Sequence, residues 1–419
     1  MLKLKYSLLL IIIFRILLDI TYKYEIAPHF GYMHLEDKST MMSFINSWLV
    51  LIFITYFVLP FLRTGRDVAK SFVGVCLYMI RVVPMTSYIA FMPQDNLYLV
   101  YNMLYWTFLF ITIEKIPYKR LSNKGSLYAV YFVTVISVVA VLWVSGYYAH
   151  FRLHLSLVDV YELRDNARTF KMPLLLDYIW AATYNIIPVL IVYFIVNKKI
   201  QIVVLLMFVG ILNFSINGSK SAFFKILFCL FLFLFHKQNL RKVILPIFVF
   251  ISLLTVGVYL FFDDIFLSTL ITRRVFFVPN QLDTLYYDYI CKHEPLYFDT
   301  EGFGKLSFLI GENYFDMFGM RANNGLFSDA YVNLGPIGVC VFPIILGLFL
   351  NFFCSICRKH NQAITLFSAI IVVTTLGSSV FTTSLLTHGL FLLLVTLYLM
   401  PKSEIESINR NYNIFQTRK

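Results

Sequence analysis

The chain has 419 residues, 59% of them hydrophobic and only 14% charged, with a mean hydropathy of +0.75 and a formal net charge of +12. Soluble domains are about 45–50% apolar with about 25% charged residues, so this balance excludes a soluble enzyme or a nucleic-acid binder and makes lipid the solvent. The basic excess then reads as membrane topology.

A spanning helix takes about 20 apolar residues. The sequence offers twelve such stretches, near 6–22, 44–62, 68–92, 97–114, 127–148, 177–196, 200–216, 221–236, 243–262, 328–353, 362–383 and 385–400. The third is interrupted by Arg81 and Pro84, and the border between the last two rests on Ser384 alone. Long continuous runs exclude a β-barrel, whose strands are short and alternate. The expected fold is an all-α integral membrane protein of about twelve spans (range 10–13) in a single polytopic domain.

With twelve spans and both ends on one side, that side carries 20 of the 35 Lys and Arg, all in short segments, against 12 on the other. The positive-inside rule therefore places both termini in the cytoplasm, with 401–419 as a cytoplasmic tail. The first apolar run has no small-residue cleavage site after it, so it reads as an uncleaved span. The outer side then receives the long connections, a loop at 149–176 and a large late loop at 263–327. Soluble mass on that face marks where the work is done.

Cysteine usage provides no disulfide framework, since only Cys291 of six falls in an outer loop. Cys354-Ser-Ile-Cys357 lacks a second ligand pair and is a weak zinc signal. No P-loop, HExxH or dinucleotide fingerprint is present, so neither metal nor nucleotide cofactor is expected.

Three stretches can carry chemistry. In SINGSKSAFFKIL the short Asn217-Gly218-Ser219 turn opens a span at Lys220, a cation beside a helix N-terminus that suits an anion, although end-of-helix lysines also snorkel. Lys225 lies deeper and requires an acidic partner or an aqueous cleft. In DDIFLSTLITRRVFFV, Ile265, Leu270, Phe276 and Phe277 sit at helical spacing, which predicts an interfacial helix ended by Pro279. Its Arg273-Arg274 pair fits phosphate oxygens, specific or from lipid headgroups. LDTLYYDYICKHE reads as a second interfacial segment, and EGFGK as flexible turns. The entrance RANNGLFSDAYVNLGPIG places Asp329 and Asn333 on one helix face at i, i+4, with Gly335 and Gly338 as a packing seam. Arg15 and Asp19 are expected to pair with each other. Arg81, His293 and His388 are further candidates, although a lone His is more often structural.

The Gly-Ser-Lys turn, the late loop beginning RRVFFVPNQLDTLYYDYI and its exit NNGLFSDAYVNLGPIG together resemble the O-antigen and capsular repeat-unit polymerases, the Wzy-type membrane glycosyltransferases. The local motifs cover 213–227 and 263–340, and the topology covers the whole chain. Lys220 stands where such proteins often carry Arg.

The resemblance implies a general architecture similar to GT-C-like lipid-linked-sugar glycosyltransferases in the bacterial inner membrane. It also implies a reaction in which a glycan on undecaprenyl diphosphate is transferred to a new lipid-linked repeat unit at the periplasmic face. The implied partners are lipid-linked oligosaccharides, membrane lipid and a chain-length regulator, with no nucleic acid. Lys220, Arg273, Arg274 and Arg321, with Asn324 and Asn333, would neutralise or line the diphosphate site. Asp329 or His293 would be the general base, and Tyr286, Tyr287, Tyr289 and Tyr297 would stack on sugars. A flippase or other transporter and an O-antigen ligase are the alternatives; related halves, which carriers usually show, are not visible here.

Overall fold

The computed structural model describes residues 2–63, 67–118, 124–154, 160–235 and 238–402. Arg66, Lys119, Arg120 and Lys237, residues 155–159 of the 149–176 loop, and the expected tail beyond Lys402 lie outside them. Among the described residues every regular element is helical.

Among the described residues eight helices are long and apolar enough to cross a membrane: Met41–Leu62, Val68–Phe91, Asn96–Lys115, Leu127–Tyr147, Leu174–Val196, Ile200–Asn217, Leu240–Phe262 and Phe327–Cys357. The other four expected spans are also helical. Leu2–Thr21 carries Lys3, Lys5, Arg15 and Asp19, and Lys220–Phe235, Gln362–Ser378 and Leu390–Leu399 are shorter.

Helix ends follow from local chemistry. Side-chain oxygens of Thr40, Asp67 and Asp95 accept the first free backbone N–H groups of their helices. Gly218, at φ 62°, closes Ile200–Asn217 in the left-handed conformation that a side chain would disfavour.

Among the described residues three helical stretches widen from i→i+4 to i→i+5 hydrogen bonding: Tyr22–Ile26, Tyr78–Val82 and Ser268–Phe277. Each is followed, two residues on, by a proline: Pro28, Pro84 and Pro279. Proline has no N–H to donate and its ring crowds the carbonyl four residues back. A wider turn absorbs that misfit and lets the helix continue. Each of the three holds a buried charge, Glu25, Arg81 or Arg273.

The chain divides into two compact units. One comprises 1–118, 241–352 and 373–381; the other comprises 119–240, 353–372 and 382–419. In the first, Val68–Phe91 is buried along its length and packs against Met41–Leu62 and Asn96–Lys115. In the second, Leu174–Val196 is central, flanked by Leu127–Tyr147, Ile200–Asn217, Lys220–Phe235 and Leu390–Leu399.

The late loop differs from expectation in three places. Pro279 does not end a helix; it sits in the first turn of Val278–Cys291, a position that needs no N–H. That helix buries Leu282, Asp283, Tyr286, Tyr287 and Ile290, so it is packed core and not a surface segment. Residues 301–305 are not flexible turns but the start of Thr300–Phe315, capped by Asp299. The 149–176 loop contains a helix, Val160–Arg168.

Candidate functional site at the late-loop end of the first unit

The wide turn at Tyr78–Val82 buries Arg81, and the Val278–Cys291 helix of the late loop supplies its acidic partner. That partner is Asp283: an Arg81 Nη donates to Asp283 Oδ2 at 2.8 Å, and both side chains are buried. The other Nη of Arg81 reaches the Gly377 carbonyl at 3.3 Å and Asn324 Oδ1 at 3.4 Å. Asp283 Oδ1 accepts from Ser328 Oγ at 2.6 Å and Asn324 Nδ2 at 2.9 Å. Asn324, expected at a diphosphate, is therefore fully buried and ties the loop exit to the ion pair.

Asp329 and Asn333 do share one helix face. Asn333 Nδ2 donates to Asp329 Oδ1 at 2.8 Å, and Asp329 Oδ2 accepts the Phe381 backbone N–H at 2.7 Å. Asn333 Oδ1 in turn accepts the Phe298 N–H at 3.0 Å. Both residues are buried, and both oxygens of Asp329 are engaged inside the fold. Gly335 is not a packing seam but a break in Phe327–Cys357, with φ 57° and ψ −141°. Gly338 is crowded from within the same element and not by a neighbouring helix, since a Cβ there would run into the Ala330 carbonyl on the other side of the break.

The cations of the loop separate by environment. Arg273 is buried, with its guanidinium 4.3 Å from the Phe30 ring centroid and a nitrogen 3.3 Å from Met33 Sδ. Its neighbour Arg274 is exposed. Arg321 is exposed and lies over Phe308 at 4.8 Å. Glu25, on the first wide turn, accepts a hydrogen bond from the Ser268 hydroxyl, which joins that turn to the one bearing the arginine pair. Burial raises the pKa of the Glu25 carboxyl above its usual value, against the opposing effect of Ser268.

His293 is exposed and stacks on Tyr289 at 4.0 Å. Its Nδ1 lies 2.8 Å from the Tyr289 carbonyl oxygen, which can only accept. Nδ1 therefore carries the hydrogen, and the neutral ring presents Nε2 as its basic nitrogen.

The four tyrosines expected to stack on sugars are not equivalent. Tyr286 is buried and donates to the Ala322 carbonyl at 2.8 Å. Tyr287 is buried among Tyr98, Tyr101 and Tyr331, and its hydroxyl reaches Asp95 at 3.1 Å. Tyr289 lies beneath His293, and Tyr297 alone of the four is exposed.

Arg15 and Asp19 form the expected ion pair, and Arg15 is further held by Thr86 and Ser47. In the second unit, Lys220 opens Lys220–Phe235, after a turn in which Asn217 Oδ1 accepts the Ser219 N–H at 2.9 Å. Lys225 donates to Asn185 Oδ1 at 2.6 Å, so it meets an amide there. The backbone carbonyl of His388 accepts from the same amide at 2.6 Å.

Sequence reasoning missed Asp283 and Phe298. A buried arginine in a span requires an acid, and Asp283, set among the apolar residues of LDTLYYDYI, was a readable candidate. Phe298 had no such signal, because its position depends on contacts with Asn333. Comparison with family models, curated proteins and solved structures finds no match for the chain.

Proposed function

We propose that the protein polymerises oligosaccharide repeat units carried on undecaprenyl diphosphate, by glycosyl transfer with the lipid diphosphate as leaving group. The observation that carries this reading is the division of labour at the arginine pair. Arg273 is anchored against Phe30 and Met33, while Arg274 beside it remains exposed on the same turn. A guanidinium presented from a fixed element neutralises charge on a departing diphosphate without first being ordered. Arg321, also exposed, would add a second charge. Lys220, in the second unit, would offer an anion contact of its own at its helix end.

Acceptor activation falls to His293 in this reading. Its Nε2 is the basic nitrogen of an exposed ring, whereas both oxygens of Asp329 already hold structural hydrogen bonds. Asp329, Asn324 and Asn333 would then position the site without touching substrate. The proposal places about twelve spans in a bacterial inner membrane, with both termini cytoplasmic and the late loop periplasmic, as the distribution of Lys and Arg supports. The general plan would be that of GT-C-like enzymes, and a chain-length regulator would be the protein partner.

The test is the glycan ladder of cells lacking the gene, complemented with wild type or with Arg274→Ala. Single repeat units on the lipid core in the deletion strain, and in the strain with inserted Arg274→Ala, support the polymerase reading. Loss of all surface repeat units with lipid-linked units trapped inside would transfer the assignment to a flippase. Absence of even a single unit from the lipid core, with polymer accumulating on the lipid carrier, would transfer it to a ligase.

A further inference from the structure

Two consecutive aromatic residues, Tyr297 and Phe298, have left-handed backbones, with φ of 48° and 67°. Bulky L-residues avoid that region, and such strain persists only where surrounding contacts enforce it. The contacts here come from the break at Gly335. Pro336 has no N–H, so the Val332 carbonyl loses its helical partner. It accepts from Leu296 N–H at 2.9 Å instead, the Asn333 carbonyl accepts from Tyr297 N–H at 3.1 Å, and the Asn333 side chain accepts from Phe298 N–H at 3.0 Å. Three successive N–H groups of the loop are thus bound to the open end of one helix segment.

The same clamp directs both rings outward: Tyr297 is 68% exposed and Phe298 49%. Packing does not explain the strain, because the strained residues are not the buried ones. The flanks are polar, with His293 and Glu294 before them and Asp299 and Glu301 after, all exposed. Carboxylates so close on both sides disfavour insertion of these rings into lipid. Aromatic faces set among carboxylates and an imidazole match the two surfaces of a sugar ring, whose C–H face packs on an aromatic ring while its hydroxyls bond to polar groups.

We infer that Tyr297 and Phe298 form a rigid platform for a sugar ring of the oligosaccharide substrate, held in place by Asn333 and Asp329. This rests on the glycosyltransferase reading and adds to it where one ring of the substrate is bound. In this arrangement Asp329 orients the Asn333 amide, and Asn333 fixes the Phe298 backbone. Both are positioning residues.

Glycine separates the platform from a structural role. It adopts the left-handed conformation without strain and keeps the N–H groups, while deleting the ring. The experiment uses the full-length protein in lipid nanodiscs and, as probe, the repeat oligosaccharide released by mild acid from the lipid-linked pool of cells lacking the gene. Binding is titrated by saturation-transfer NMR, and thermal unfolding is followed in parallel.

The expected result is that Tyr297→Gly and Phe298→Gly unfold at or above the wild-type temperature yet bind the probe about tenfold more weakly, whereas Phe298→Trp retains binding. Wild-type affinity in both glycine variants overturns the platform, and so does a fall in unfolding temperature that accompanies the loss of binding. If those glycine variants bind normally while the deletion strain still shows single repeat units, the platform alone fails. If wild type does not bind the probe and the deletion strain has normal glycans, the function fails and takes the platform with it.

Discussion

Arg81 and Asp283 stand 202 positions apart in the chain and meet at 2.8 Å in a buried ion pair. The pair ties a membrane-embedded helix to the helix that follows the arginine-bearing turn, so the late loop is part of the first unit's core. Removing one partner leaves a buried charge uncompensated, which typically costs about 3–5 kcal/mol, whereas replacing both by apolar residues is often nearly neutral. Arg81→Met and Asp283→Leu are each expected to lower the unfolding temperature sharply. The double variant should recover most of the loss, as a double-mutant cycle in detergent or nanodiscs will show. Additive losses would mean that the two side chains act independently.

The two adjacent arginines are expected to respond in opposite ways. Arg273→Ala removes a desolvated cation–π contact with Phe30 and should cost about 2 kcal/mol. Arg274→Ala removes an exposed side chain and should change stability by no more than about 0.5 kcal/mol, while shortening the glycan ladder to single units. Arg274→Lys keeps the charge but loses the planar fork, and intermediate chain lengths are expected. Thermal unfolding and glycan gels on the same membranes check all three variants.

Apolar run length alone located the eight helices long enough to span, because in lipid the backbone must satisfy its own hydrogen bonds, whereas the stretch expected to divide at Ser384 instead breaks into Gln362–Ser378, Phe381–Leu385 and Leu390–Leu399. The i, i+4 spacing likewise sufficed to pair Arg15 with Asp19 and Asp329 with Asn333. What could not be read was the interior of the late loop. Its aromatic residues have interfacial composition, yet Tyr286 and Tyr287 are buried, because Asp283 draws their helix against Arg81. Pro84 and Pro279 were legible as helix punctuation; that each, like Pro28, follows a widened turn and does not end a helix depends on the packing around it. Gly335 was legible as a special position, but its role required knowing that Leu296 and Tyr297 lie opposite.

The connection between Phe327–Cys357 and Gln362–Ser378 gives the second unit a pH signature. His360 Nε2 donates to the Leu397 carbonyl at 2.8 Å, and burial together with the Lys359 charge pushes its pKa down to about 4. Lys359 donates to the Tyr398 carbonyl at 2.6 Å, and burial pushes its pKa down to about 8. A group whose folded pKa is depressed contributes stability above its unfolded pKa and loses it as pH falls to the folded value. Stability from His360 should therefore decline between pH 6.5 and about 4, by roughly 3 kcal/mol at about 1.4 kcal/mol per pKa unit. Stability from Lys359 should still be rising between about 8 and 10.5. Subtracting the unfolding profile of His360→Gln from that of wild type isolates the acid limb, and Lys359→Met isolates the alkaline one. A flat difference in either window would show that the group keeps its ordinary pKa.

Gly335 is the position at which backbone conformation most directly determines the late loop. Its φ of 57° with ψ of −141° is a combination that residues with a side chain almost never adopt, and a Cβ there would lie 3.3 Å from Pro295 Cγ. Gly335→Ala should therefore cost about 1–3 kcal/mol. The loss should also be local, because a backbone driven from this conformation carries the Val332 and Asn333 carbonyls away from Leu296 and Tyr297. Hydrogen exchange at those two amides is expected to accelerate well before exchange in the Asn96–Lys115 helix changes. Pro336→Ala makes the complementary test. It restores an N–H that can compete for the Val332 carbonyl while leaving Gly335 free to turn, so it should weaken protection at Leu296 with little effect on global stability. If Gly335→Ala speeds exchange uniformly instead, the break is a general packing element and not the anchor of the 296–298 strap.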